Sequence, residues 1–178
     1  MPAAATRDDL AVRFCVHCGA ALVRRAQQGA IRPGCTACDY VHFFDPKVAA
    51  AAWIEEEGRV LLVRRAVMPQ RGLWTIPGGY VDAWEDPAGA VVRECAEELG
   101  VVVELTGLLD IVAGREHPRG AGFVIFYSAR LRTRTLQPAD DVDQAGWFAA
   151  HELPELAFEA TRSMAARWQA ARAAQKSA

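Results

Sequence analysis

The sequence lacks any concentration of one charge. Twenty Lys and Arg stand against 22 Asp and Glu, for a formal net charge of −2 at pH 7, and no block of five or more like charges occurs. A chain without a basic stripe has no electrostatic footprint for nucleic acid or for an anionic membrane surface, whereas small anionic ligands are not excluded. Long apolar runs are missing as well. The opening "MPAAATRDDL" has no apolar core that would serve as a signal peptide. No later stretch approaches the roughly 18 continuous apolar residues of a spanning helix. The expectation is a cytoplasmic protein without nucleic-acid or membrane partners. Internal repeats are absent, and so is low complexity beyond a richness in alanine. What is present is apolar material, 52% of 178 residues, enough for one good core and a small appendage.

Cysteine is scarce but patterned. Cys15 and Cys18 form one Cys-x2-Cys pair and Cys35 and Cys38 another, at the separation of a zinc ribbon. Each pair suits a tight knuckle that offers two thiolates, and two knuckles close a tetrahedral Zn²⁺ shell with no open position for water. Two disulfides or unrelated thiols are the alternatives; paired spacing in a chain read as cytosolic favours zinc. His17 and His42 lie nearby as bystanders. A segment this short cannot fold on a core alone, and metal binding supplies on the order of 10 kcal/mol. Residues 12–43 therefore read as a zinc-held module, 1–11 as a flexible N-terminus and 44–178 as the main domain.

Beyond the module, "PKVAAAAWI" and "GRVLLVRRA", separated by the turn-like "EEEG", suggest adjacent strands. "VVVELTGLLDI" and "GFVIFYSARL" suggest two more, joined by a polar Gly- and Pro-containing loop, with a short "AGWF" as another. "FEATRSMAARWQAARAA" repeats Met164, Ala165, Trp168 and Ala171 at helical spacing. With the helix that lies between the strand groups, this order predicts an α+β fold with helices packed on a mixed sheet.

That middle helix carries the chemistry. Asp86 and Pro87 form a start signal and Gly100 a stop. The period puts Ala88, Val91, Val92, Cys95 and Leu99 on one face and gathers Glu94, Glu97 and Glu98 on the opposite side. Carboxylates near a helix C-terminus oppose its dipole at about 0.3–1 kcal/mol each, and like charges at i, i+4 add a few tenths. Arg93 offsets part of this through Glu97. A hard divalent cation would reverse the sign of the whole cluster.

Gly79, five residues, Glu85, seven residues and then "RECAEELGV" resemble the signature of the Nudix hydrolases, G-x5-E-x7-R-E-U-x-E-E-x-G-U with U a bulky apolar residue. Every fixed position matches, with Cys95 an unusual choice at a U position. The ribbon, the "LWTIPGGY" entry and the "WF…ELPELAF" close are similar to zinc-ribbon Nudix enzymes that hydrolyse NADH, FAD or ADP-ribose. The resemblance implies a mixed β-sheet sandwiched by helices and preceded by the ribbon. It also implies Mg²⁺ or Mn²⁺ held by Glu94, Glu97 and Glu98, with the Gly79 carbonyl joining and Glu85 as a further ligand or supporting carboxylate, and Arg93 orienting the cluster. The reaction implied is hydrolysis of an ADP-linked pyrophosphate to AMP and a second monophosphate, in an enzyme that is often a homodimer.

The general base is open among Glu116, Asp140, Asp141 and Asp143, with Glu116 favoured weakly for its place between two core strands. The Ser-Gln-Pro-Trp-Pro-Phe-Pro motif of NADH pyrophosphatases is absent, and Pro118 lies near a proline of ADP-ribose-type enzymes. Trp74, Tyr80 and Trp84 are candidates to stack on a base or flavin, with packing as the alternative, and Trp84 stands where the family commonly has glycine. Arg115 and Arg119 are candidates for phosphate oxygens, or simply exposed. A nucleoside triphosphate pyrophosphohydrolase and a non-catalytic nucleotide-binding regulator are the competing functional classes.

Overall fold

The computed structural model describes residues 12–114 and 122–176, and the chain divides into two compact units, Met1–Asp45 and Pro46–Ala178. The first is built on an antiparallel hairpin, β1 (Leu22–Gln27) and β2 (Ala30–Cys35), with Gln27 opposite Ala30. Its two turn residues, Gln28 and Gly29, both have positive φ (49° and 76°), which matches the turn twist to the strands.

The second unit holds β3 (Lys47–Glu56), β4 (Arg59–Arg65), β5 (Trp74–Thr75), β6 (Gly78–Tyr80), α1 (Pro87–Leu99), β7 (Val103–Gly114), β8 (Gly122–Leu131), β9 (Val142–Ala149) and α2 (Glu159–Lys176). The sheet order is β5-β4-β3-β8-β7, with β6 added to β3 and β9 to β4. β3 and β8 run parallel and the other pairs antiparallel, so the sheet is mixed. Glu57 and Gly58, both at positive φ, close the β3–β4 hairpin.

The two-residue alternation of strands divides the core. Ala50, Ala52, Ile54, Leu61 and Val63 pack under α1 with Ala90, Val91, Cys95 and Leu99. Ala51, Trp53, Val60, Leu62 and Phe126 pack under α2 with Ala160, Met164, Ala165 and Trp168. The sheet thus lies between the two helices, as expected for an α+β fold. No described helix is long and apolar enough to cross a membrane.

Two details of the periodicity fail. Val92, assigned to the inner face, is 38% exposed, while Glu98, assigned to the outer patch, is only 2% exposed. The inward stripe of α1 runs along Val91, Cys95, Glu98 and Leu99, rotated toward β6, because β6 supplies the partner for Glu98. On α2, Ala171 is exposed and lies outside the buried stripe of Ala160, Met164, Ala165 and Trp168.

Candidate active site

The site is assembled where β6 meets α1. Asp86 caps α1 in an extended conformation and accepts from the Gly89 N–H at 2.9 Å; Pro87 follows, and Gly100 ends the helix at φ 65°. The first turn has no acid and the last no base, so nothing at the helix termini offsets the carboxylates. Two glycines let β6 approach. A Cβ on Gly78, at φ 146°, would stand 2.3 Å from the Ala50 carbonyl oxygen, and one on Gly79 would stand 2.2 Å from Glu94 Oε1. At Gly78 the obstacle is backbone, so no side chain fits there; at Gly79 an added Cβ would push the Glu94 carboxylate out of its place.

The three helix carboxylates form a gradient of exposure: Glu97 is exposed, Glu94 half-buried and Glu98 buried. Glu98 Oε2 accepts from the Gly78 N–H at 2.9 Å. Burial nevertheless pushes its carboxyl up to about 9, with the nearby Asp141 and Glu94 charges adding to the shift. Glu94 is also raised by burial, against the opposing pull of Arg93. Among the described residues only the four cysteines gather as a compact metal-ligating group, so the three glutamates are neighbours that do not converge on one point: Glu98 turns to the Gly78 N–H, and Glu94 and Glu97 turn to Arg93. Their oxygen donors are of the type a hard divalent cation such as Mg²⁺ or Mn²⁺ takes.

Arg93 ties the cluster together. Its Nε and Nη2 donate to the two oxygens of Glu85 at 2.9 and 3.0 Å, Nη1 donates to Glu94 (2.9 Å) and Glu97 (2.8 Å), and Nη2 also reaches the Tyr80 carbonyl at 3.1 Å. Glu85 in turn is held below the usual carboxylate range, chiefly by the Arg93 hydrogen bonds. The sequence foresaw Arg93 against Glu97; the bidentate pair with Glu85 is the stronger link and needs the fold to be seen.

A cavity of about 630 Å³ opens beside the cluster. One part is lined by Gly79, Asp82, Arg93, Glu94, Glu97, Asp140 and Asp141, and another by Ala49, Ala51, Ile76, Phe123, Phe126 and Phe158. Lys47, Arg65 and the hydrogen-bonded hydroxyls of Thr75 and Thr161 (3.1 Å) also line it. Tyr80 is part of this lining. Trp74 is not: its ring packs edge-on against Phe148 at 4.8 Å and its backbone bonds Glu155 and Ala157. Trp84 also lies outside it, fully exposed, so the packing role does not hold among the described residues. Its φ of 73° in the turn closed by Glu85 N–H to Asp82 O (3.1 Å) explains why glycine is the usual family choice there. Asp143 is engaged by Arg64 at 2.7 and 3.0 Å. Arg115, Glu116, Pro118 and Arg119 lie outside the described residues. The apolar lining and Lys47 escape sequence reasoning because they come from four separate segments: β3, the β5–β6 link, β8 and the stretch ahead of α2. The one local signal is the alanine run of β3, which marks a strand but not that small side chains there leave room for a cavity.

In the first unit, Cys15, Cys18, Cys35 and Cys38 bring their sulfurs within 4.8 Å of one another. Separations of 3.5 Å (Cys18–Cys35) and 3.7 Å (Cys15–Cys38, Cys18–Cys38) exclude disulfides, whose sulfurs stand about 2.05 Å apart. They match the edge of about 3.8 Å of a tetrahedron with Zn–S bonds of about 2.3 Å. His17 stacks against Tyr40 and His42 bonds the Tyr40 hydroxyl, so neither is needed as a ligand.

The NUDIX domain profile matches residues 45–168. The chain belongs to the Nudix hydrolase family. It is 33% identical over 121 residues to the ADP-ribose pyrophosphatase of Methanocaldococcus jannaschii, covering 67% of this chain and 72% of that protein. It is 28% identical over 146 residues to the NAD-capped RNA hydrolase NudC of Chromobacterium violaceum, covering 81% of this chain but only about half (52%) of that one. Among solved structures, a Nudix hydrolase from Nitrosomonas europaea superposes with a TM-score of 0.79 at 28% identity, over 90% of this chain and 92% of that chain.

Proposed function

We propose that this chain hydrolyses the pyrophosphate bond of an ADP-linked nucleotide such as ADP-ribose, FAD or NADH, releasing AMP and a second monophosphate. The observation that carries this reading is the carboxylate cluster on one side of a cavity whose other walls are apolar and aromatic. Such a cavity suits a ligand with a charged bridge and a flat base. Its likeness to an ADP-ribose pyrophosphatase supports the same class.

Glu94, Glu97 and Glu98 would hold Mg²⁺ or Mn²⁺, with the Gly79 carbonyl beside them, and the ion would neutralise the phosphates and lower the pKa of water. Arg93, locked by Glu85, holds Glu94 and Glu97 side by side through its Nη1. The oxygen of an attacking water adds to one phosphorus while the bridging oxygen departs with the other phosphate. For the base we choose between Asp140 and Asp141, which both line the cavity, and prefer Asp141 for its place beside Glu98; Asp143 is held by two short bonds from Arg64, a tighter contact than the 3.9 Å between Arg65 and Asp141. Tyr80 borders the bound phosphates, and the apolar wall takes the base. Cys15, Cys18, Cys35 and Cys38 would hold Zn²⁺ in a structural role, residues 12–43 forming the ribbon and 44–178 the catalytic domain. A homodimer follows from the resemblance and is checked by light scattering.

Product analysis tests the reading. Purified protein with Mg²⁺ or Mn²⁺ should release AMP from ADP-ribose, FAD or NADH. Release of pyrophosphate from nucleoside triphosphates instead would reassign the substrate class, and binding without turnover would make the chain a nucleotide-binding regulator.

A further inference from the structure

Among the described residues, three cations line the cavity: Arg93, Arg65 and Lys47. Two are committed. Arg93 donates to three carboxylates and a carbonyl. Arg65 donates to the Pro69 carbonyl at 2.8 Å, lies 5.1 Å from the Phe158 ring centroid and stands 3.9 Å from Asp141. Lys47 is different. Its Nζ sits 4.8 Å from the centroid of the Tyr80 ring, and no described carboxylate pairs with it. Asp82, one of the acids lining the cavity, makes no ion pair with it.

The register explains where that ammonium stands. Lys47 opens β3, and β6 runs antiparallel beside it with Ala49 opposite Tyr80 and Ala50 opposite Gly79. Gly79 is in turn the residue on which Glu94 rests. One short strand edge therefore links Lys47, Tyr80, Gly79 and the Glu94 carboxylate. An aromatic face steadies a cation without neutralising it, unlike a carboxylate partner.

We propose that Lys47, held on Tyr80, binds a non-bridging oxygen of the substrate's pyrophosphate next to the Glu94–Glu97 cluster. The inference rests on the pyrophosphatase reading and adds a residue to it. A pyrophosphate joining two esters carries two negative charges, which one divalent ion balances. Hydrolysis adds water across the bridge: one phosphorus gains the water oxygen, the bridging oxygen leaves with the other, and two monophosphates with more negative charge result. A preplaced ammonium favours that charge as it develops.

The test compares wild type with Lys47→Met and Lys47→Arg, all with Mg²⁺, in two assays. Steady-state hydrolysis of ADP-ribose should fall by about 10- to 100-fold in kcat/KM for Lys47→Met, mainly through kcat, and recover substantially in Lys47→Arg. Calorimetric binding of AMP, which carries the product's phosphate and needs no turnover, should weaken about tenfold in Lys47→Met and recover in Lys47→Arg. Tyr80→Leu, which removes the supporting ring, should reproduce part of both losses. Unchanged kinetics and AMP affinity in Lys47→Met, or wild type that binds no AMP, would overturn the assignment. Wild type that binds AMP through Lys47 yet hydrolyses no dinucleotide would retain it and retire the pyrophosphatase reading instead.

Discussion

Arg93 and Glu85 meet edge to edge, Nε to Oε1 at 2.9 Å and Nη2 to Oε2 at 3.0 Å, across the gap between α1 and the turn that precedes it. This pair leaves Nη1 free to span Glu94 and Glu97. A lysine carries the charge without the fork. Arg93→Lys should lower kcat by about 10- to 100-fold, with the far-ultraviolet spectrum unchanged, and Glu85→Gln should do the same to a smaller degree. Equal activity in both variants would show that the pair does not position the cluster.

Glu98 predicts a pH dependence of the metal-free protein. Its folded-state value near 9 lies above that of the unfolded chain, near 4.5. Below both values the group is protonated in either state. Between them the unfolded chain loses the proton that the folded one keeps, so this group's contribution to stability declines as pH rises from about 4.5 to 9. Thermal melts of zinc-loaded protein without added Mg²⁺ or Mn²⁺ should show Tm falling over that interval. Glu98→Gln should flatten the decline while abolishing turnover, and a slope unchanged by the substitution would contradict the assignment.

Adding Mg²⁺ should release protons for the same reason. The ion needs the carboxylate that the metal-free protein holds protonated. Apparent affinity should therefore rise with pH between 6 and 8, as measured by titration in buffers of different ionisation enthalpy.

Trp84 sits at a φ of 73°, in a turn where an L side chain is strained by about 1 kcal/mol or more. Trp84→Gly should be neutral to stabilising by up to about 1 kcal/mol in denaturant melts, the added chain entropy of glycine taking back part of the relief. A loss of stability would mean that the indole packs against something outside the described residues.

The four sulfurs predict one zinc per chain. Cys35→Ser should lower the zinc content, measured by atomic absorption, and destabilise residues 12–43, seen as faster amide exchange there. Full zinc retention would exclude the four-thiolate assignment.

Much of this was legible in the sequence because it rests on local rules. The caps of α1, the strand over residues 122–131 and the spacing of the four cysteines each follow from neighbours a few residues apart. What escaped depends on distant parts of the chain. β5 and β6 are two and three residues long, too short for a period to register, yet β6 supplies the N–H that draws Glu98 inward. Helical periodicity treated the three glutamates as equivalent; tertiary packing makes one exposed, one half-buried and one buried. Likewise the bidentate partner of Arg93 lies eight residues back, beyond the reach of i, i+4 reasoning.

The alanine run of β3 separates two evolutionary freedoms. Ala50 and Ala52 are sealed beneath α1, so enlarging either disturbs the framework that aims the glutamates. Ala49 borders the cavity and is only half-buried, so an added methyl there changes what fits without displacing α1, whereas Ala50 and Ala51 border it as buried core positions. What the cavity admits can therefore change at Ala49 while the neighbouring alanines hold the framework beneath α1 and α2 as it is.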